Sequence, residues 1–136
     1  MIAVDSNIWI YYLDPTTEEH EKVKSELERV ILSEEILTST IIWMEVSHYL
    51  FKVSRLPRGE LGGMIKKLLR LSTLRVADFD FAMLNESLDM LSERYRGRIG
   101  GRDATILAMM QDFGVKRIMT HDKGFKGLGL EVIDPV

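Results

Sequence analysis

The sequence predicts an α/β protein built on a five-stranded parallel sheet with helices on both faces. Three observations carry this. Five short apolar runs, Ile2-Ala3-Val4, Ile36-Leu37-Thr38, Thr73 to Ala77, Arg117 to Thr120 and Glu131-Val132-Ile133, read as strands in a buried sheet. They are separated by one or two segments of helical periodicity, the alternation that builds a parallel sheet with right-handed crossovers. The chain is 136 residues long, 46% hydrophobic and 29% charged, which suits one folded domain over residues 1–136 and excludes a disordered or collagen-like chain.

Taken in order, the first strand ends at Asp5, and a short helix from about Asn7 to Leu13 is stopped ahead of Pro15. Thr16-x-x-Glu19 has the pattern of a capping box, before a helix whose Val23, Leu27, Val30 and Ile31 share one face. After the second strand, Ser39 or Thr40 caps a helix from about Ile41 to Lys52. A helix after Pro57 carries Leu61, Ile65, Leu68 and Leu69, with Gly62-Gly63 costing about 1 kcal/mol each relative to alanine. The third strand gives way to a helix capped by Asp78 with Phe81, Leu84, Leu88 and Leu91 on its apolar face. A helix from about Asp103 ends at Gly114, a C′ glycine. The glycines at 124, 127 and 129 match no phosphate-binding motif and serve a turning loop before the fifth strand.

Composition removes several function classes. No apolar run reaches the ~20 residues of a membrane span, and Met1 to Asp5 does not start a signal peptide. There is no cysteine, which excludes disulfides, thiolate zinc sites and cysteine nucleophiles and fits a reducing cytoplasm. The net charge of -3 is unevenly spread: residues 1–49 carry -7 and residues 50–136 carry +4. A basic face can therefore exist on an acidic protein.

In an open parallel sheet, sites form outside the carboxyl ends of the strands. Four acids belong there: Asp5 after strand one, Glu45 in the second turn of the helix after strand two, Asp103 at the start of the helix leading to strand four, and Asp122 just past that strand. Each has a structural alternative. Asp5 and Asp103 suit helix N-caps, and Asp122 suits a turn. Glu45 is the single charged residue between Ile41 and Phe51, in a helix apolar enough to be buried, unless it shares an exposed stripe with Ser47 and His48. Taken together, four converging carboxylates repel, and a hard divalent cation, Mg²⁺ or Mn²⁺, relieves them. With His20, His48 and His121 scattered along the chain, zinc is disfavoured.

Val4-Asp5-Ser6-Asn7-Ile8, Glu45 in its hydrophobic helix, Arg102-Asp103-Ala104-Thr105-Ile106 and Thr120-His121-Asp122-Lys123-Gly124-Phe125 together resemble the PIN-domain family, in particular the VapC-type toxins of toxin–antitoxin pairs. The resemblance runs in order over the whole chain. It implies strand order 3-2-1-4-5 and a metal-dependent ribonuclease in which Asp5, Glu45, Asp103 and Asp122 form the catalytic metal site. It matches Thr120 to the family's small hydroxyl residue and Asn7 to a polar residue after the first acid, and both types can orient carboxylates. It further implies a homodimer and an antitoxin partner.

On that reading Asp5 and Asp103 are direct ligands of Mg²⁺ or Mn²⁺. Glu45 and Asp122 ligate directly, through water, or assist as a base. Phosphate contacts fall to the positive charge of the later chain: Arg94, Arg96, Arg98 and Arg102 before the site, Lys123 and Lys126 after it. Single-stranded or looped RNA is the easier target for a shallow notch. Trp9, Tyr11 and Tyr12 are assigned to the core. Alternatives are a solitary RNA-processing nuclease, a non-catalytic RNA- or protein-binding module and a phosphoacceptor receiver domain. The last wants paired acids after strand one, where Asp5 is followed by Ser6-Asn7.

Overall fold

The computed structural model describes residues 1–136. Its sheet contains β1 (Ile2–Val4), β2 (Ile36–Ser39), β3 (Leu74–Ala77), β4 (Arg117–Met119) and β5 (Glu131–Ile133), in the order β3-β2-β1-β4-β5 and parallel throughout. The expected order 3-2-1-4-5 is the one observed. The three innermost strands are the most apolar: Ile2, Ala3, Val4, Ile36, Leu37, Ile118 and Met119 are all fully buried. Removing each large aliphatic side chain from water contributes about 1.5–3 kcal/mol, which explains why strands of three or four residues suffice.

Helices α1 (Ser6–Leu13), α2 (His20–Ser33), α3 (Thr40–Val53) and α4 (Arg58–Leu68) lie between β1 and β3, and α5 (Phe81–Asp89) and α6 (Gly101–Asp112) between β3 and β4. α1 packs against α2 and α3, and α5 packs against α6, giving the two helical layers of an α/β/α fold. Trp9 of α1 is fully buried, its ring 4.9 Å from that of Trp43. Tyr11 and Tyr12 sit half-buried at the edge of this core. A single 3₁₀ turn, Lys123–Phe125, lies in the turning loop that joins β4 to β5.

Local expectations fail where a nearby polar group offers a better partner. Thr16 caps no helix, because the Asp14 carboxylate takes both its hydroxyl (2.6 Å) and its amide (3.0 Å), and α2 starts four residues later at His20. The cap of α3 is as expected: of Ser39 and Thr40, Ser39 is the one used, accepting the Ile42 N–H at 3.2 Å. Asp80, not Asp78, caps α5 by accepting the Met83 N–H at 2.9 Å. The face of α5 differs as well: Met83 and Ser87 are buried, while Phe81, Leu84 and Leu88 are exposed. α6 begins at Gly101, which places Asp103 inside the first turn and not at its cap.

At its far end α6 closes as the sequence predicts. Gly114 adopts φ +65°, Val115 N–H reaches Met110 O at 2.9 Å and Gly114 N–H reaches Gln111 O at 3.2 Å, a Schellman motif that satisfies the last carbonyls. The chain changes direction across the sheet between β1 and β4, so their carboxyl ends flank the switch point where open α/β sheets place their sites.

Candidate active site

Asp5 leaves β1 at that switch point. It is fully buried, and its carboxylate is bonded from several sides. Oδ1 accepts the Ser6 N–H at 2.7 Å and the Ser6 hydroxyl at 3.2 Å, so Asp5 is the N-cap of α1 as its structural alternative foresaw. Oδ2 accepts the Thr120 hydroxyl at 2.7 Å and the Asn7 amide at 3.3 Å. The two roles are compatible because a carboxylate has about four acceptor positions.

Thr120 lies one residue past β4 and is buried. Its oxygen also accepts the Asp122 N–H at 3.0 Å and the Asn7 amide at 3.3 Å, while Asn7 Oδ1 accepts the His121 N–H at 3.3 Å. The residues expected to orient carboxylates thus tie the end of β1 to the loop carrying Asp122. That loop then folds over itself, with Asp122 Oδ1 accepting the Gly124 N–H at 2.8 Å.

Asp103, on the first turn of α6, faces the same loop. A β-carbon added at Gly124 would stand 3.1 Å from Asp122 Oδ1 and 3.6 Å from Asp103 Oδ2, so both carboxylates border one small space that glycine leaves open. Burial raises the Asp103 pKa above the ordinary aspartate value, and the negative charges of Asp122 and Asp5 push it further, outweighing Arg102 and a backbone N–H contact at Gly100.

Glu45 joins this group through Arg102. The expected all-round burial of α3 is not observed: Ile42, Trp43, Val46 and Leu50 point inward, Met44 is 69% exposed, and Glu45 is half-exposed. Its Oε1 lies 3.1 Å from Arg102 Nε, and Arg102 Nη2 lies 3.3 Å from Asp5 Oδ1 and 2.8 Å from Ser6 Oγ. Arg102 therefore bridges two acids. Of the other cations, Arg98 Nη2 donates to Gly127 O at 3.3 Å, Arg94 is engaged by Gln111, and Lys123 is exposed on the 3₁₀ turn beside Asp122. A cavity of about 550 Å³ opens beside Glu45 and Arg102, walled by Ile41, Met44, His48 and Thr105.

The charges of Asp122 and Asp5 act on Asp103, and Glu45 reaches Asp5 through one guanidinium. No three acidic or imidazole groups stand in ready geometry for a metal ion. The donor set is nevertheless one of hard oxygens around coupled negative charge, and it fits a divalent cation of the Mg²⁺ or Mn²⁺ type. The sequence reading missed Ser6, which holds both Asp5 and Arg102, and the spacing role of Gly124. Ser6 was legible only as the residue after Asp5, and Gly124 as the glycine two residues after Asp122.

The sequence matches the family model of the PIN domain over residues 2–129. No protein of curated function matches it. Among solved structures, it is similar to Mycobacterium tuberculosis VapC20, described as a sarcin-ricin loop cleaving toxin, with 18% identity, a TM-score of 0.79 and 96% of each chain covered. It is also similar to a chain of the Klebsiella pneumoniae toxin–antitoxin complex (24% identity, TM-score 0.68, 100% of this chain and 98% of that one). A third likeness is to VapBC2 from Rickettsia felis bound to a promoter DNA fragment (20% identity, TM-score 0.70, 98% of each chain). At these identities the structures speak for a shared fold, and the family model speaks for descent: the chain belongs to the PIN domain family.

Proposed function

We propose that this PIN domain is an endoribonuclease dependent on Mg²⁺ or Mn²⁺, which hydrolyses phosphodiester bonds of single-stranded or looped RNA as the VapC-type toxin of a toxin–antitoxin pair. The observation that carries the reading is the convergence at the switch point. Three aspartates from three separate segments meet there, and burial first, then the charges of Asp122 and Asp5, raise the Asp103 pKa above the ordinary aspartate value. A purely structural cap has no reason to gather like charge.

Asp5 and Asp103 would be direct ligands of the cation, with Glu45 and Asp122 completing its surroundings or acting on a water. The bound cation would supply a nucleophilic water and neutralise phosphate charge. The chain's own residues do the positioning. Thr120, Asn7 and Ser6 hold the Asp5 carboxylate in one orientation, and the open space at Gly124 lets Asp122 and Asp103 face each other. Arg98, which donates to Gly127 O, and exposed Lys123, next to Asp122, would contact the phosphate backbone, and the apolar wall of Ile41 and Met44 would offer a surface for an unpaired base.

The structural neighbours include toxin–antitoxin complexes and a toxin described as cleaving the sarcin-ricin loop, which supports an antitoxin partner and a looped substrate. Exposed Phe81, Leu84 and Leu88 on α5 favour a covered surface and hence a homodimer. No helix is long and apolar enough to cross a membrane, and we assign the activity to the cytoplasm, where its RNA would be.

The test is cleavage of a structured RNA by the purified chain with Mg²⁺ or Mn²⁺, against EDTA and against Asp5→Asn. Cleavage confined to the metal-loaded parent protein is expected. Equal decay in every reaction would overturn the assignment.

A further inference from the structure

Arg102 stands next to Asp103 on the first turn of α6, yet its guanidinium is turned back onto the other two segments. Nη2 approaches Asp5 Oδ1 at 3.3 Å and donates to Ser6 Oγ at 2.8 Å, while Nε approaches Glu45 Oε1 at 3.1 Å. Asp5 is fully buried, and the only ion pair of either Asp5 or Glu45 is with Arg102. A carboxylate removed from water needs a counter-charge, and one guanidinium here serves two acids from separate segments, the end of β1 and α3. The planar fork makes this bridge possible, since its separate N–H groups reach both carboxylates at once.

We propose that Arg102 is a tethered counter-ion: in the metal-free protein it neutralises Asp5 and Glu45, and a divalent cation displaces it on binding. This rests on the reading of those acids as cation ligands. Both oxygens of Asp5 accept uncharged donors, Oδ2 from Thr120 and Asn7 and Oδ1 from Ser6, and Arg102 on Oδ1 is the single cationic partner, so it is the contact with which a metal competes. Two cations at one oxygen repel each other. The arginine side chain is 46% exposed, so its charged end can move into water while α6 stays in place. The absence of any ready-made three-acid cage follows from the same arrangement, because Glu45 and Asp5 are drawn to the arginine and not toward Asp103 and Asp122.

The experiment titrates Mn²⁺ into the purified full chain, reading free Mn²⁺ by electron paramagnetic resonance, for the parent protein, Arg102→Ala, Arg102→Lys and Asp5→Asn. Melting with and without Mn²⁺ is followed in parallel. Losing a charge-assisted contact that the metal must otherwise break is expected to tighten Mn²⁺ binding by about tenfold in Arg102→Ala. Arg102→Lys, a point charge that cannot fork to both acids, falls between. The metal-free Ala variant melts lower than the parent and is raised further by Mn²⁺. Arg102→Gln carries the same expectation should the Ala variant fail to fold. Equal or weaker Mn²⁺ binding in a folded Ala or Gln variant overturns the counter-ion role and leaves the metal site standing. Absence of Mn²⁺ binding in both the parent and the variants overturns both.

Discussion

The hydroxyl of Thr120 donates to Asp5 Oδ2 at 2.7 Å, joining residues 115 positions apart in the chain across the two central strands of the sheet. The bond exists because β1 and β4 are parallel neighbours, with Val4 opposite Met119, so the residues that follow each strand emerge side by side. It turns the strand register into the orientation of a carboxylate.

Thr120→Val keeps the shape and removes the hydroxyl. Asp5 then loses a buried donor, and the Asp122 N–H loses its acceptor, at a cost of about 1–3 kcal/mol. The urea midpoint should fall at unchanged slope, and RNA cleavage should fall with it. Thr120→Ser, which restores the oxygen, should recover most of both. An unchanged midpoint in the valine variant would show that the bond does not hold the site.

Gly124 tests geometry with little effect on the fold. Its backbone does not need positive φ, so alanine is tolerated locally, but the new β-carbon would lie 3.1 Å from Asp122 Oδ1. The carboxylate must move by a few tenths of an ångström. Gly124→Ala is expected to lower cleavage by several-fold to about tenfold, because small displacements of positioning groups are costly in rate. The melting temperature of the metal-free protein should barely change. Undiminished cleavage would remove Asp122 from the site.

Asp103 gives a pH signature. Its folded pKa is raised by burial first and by Asp122 and Asp5 next, so the folded chain keeps this proton at a pH where the unfolded chain has released it. Stability of the metal-free protein therefore falls as pH rises from about 3.8 through the raised value, and the cost is fully present above it. Asp103→Asn should melt higher than the parent at neutral pH without metal, with the gap closing on acidification. Added Mn²⁺ should reverse the order, because only the parent gains binding energy. A variant that melts lower at neutral pH without metal would contradict the coupling.

The chain order of strands and helices was legible in the residues, because burial of both sheet faces leaves unbroken apolar runs such as Ile2-Ala3-Val4 and Ile36-Leu37, and glycine at 114 marks a helix end in one way only. The acids Asp5, Asp103 and Asp122 were legible too, since they follow strands or open a helix in a fold whose sites lie at those ends. Caps were less so. Asp14 competes for Thr16 and Asp80 displaces Asp78, and such choices turn on which carboxylate stands a few ångströms nearer. The exposure of Phe81, Leu84 and Leu88 was hidden for a related reason: an apolar residue on a helix declares that it seeks cover, not which cover it finds. The role of Arg102 was decided by tertiary structure alone. Periodicity and spacing act along one element, whereas an ion pair among α6, the end of β1 and α3 depends on how three elements converge, and no local pattern in the chain records that distance.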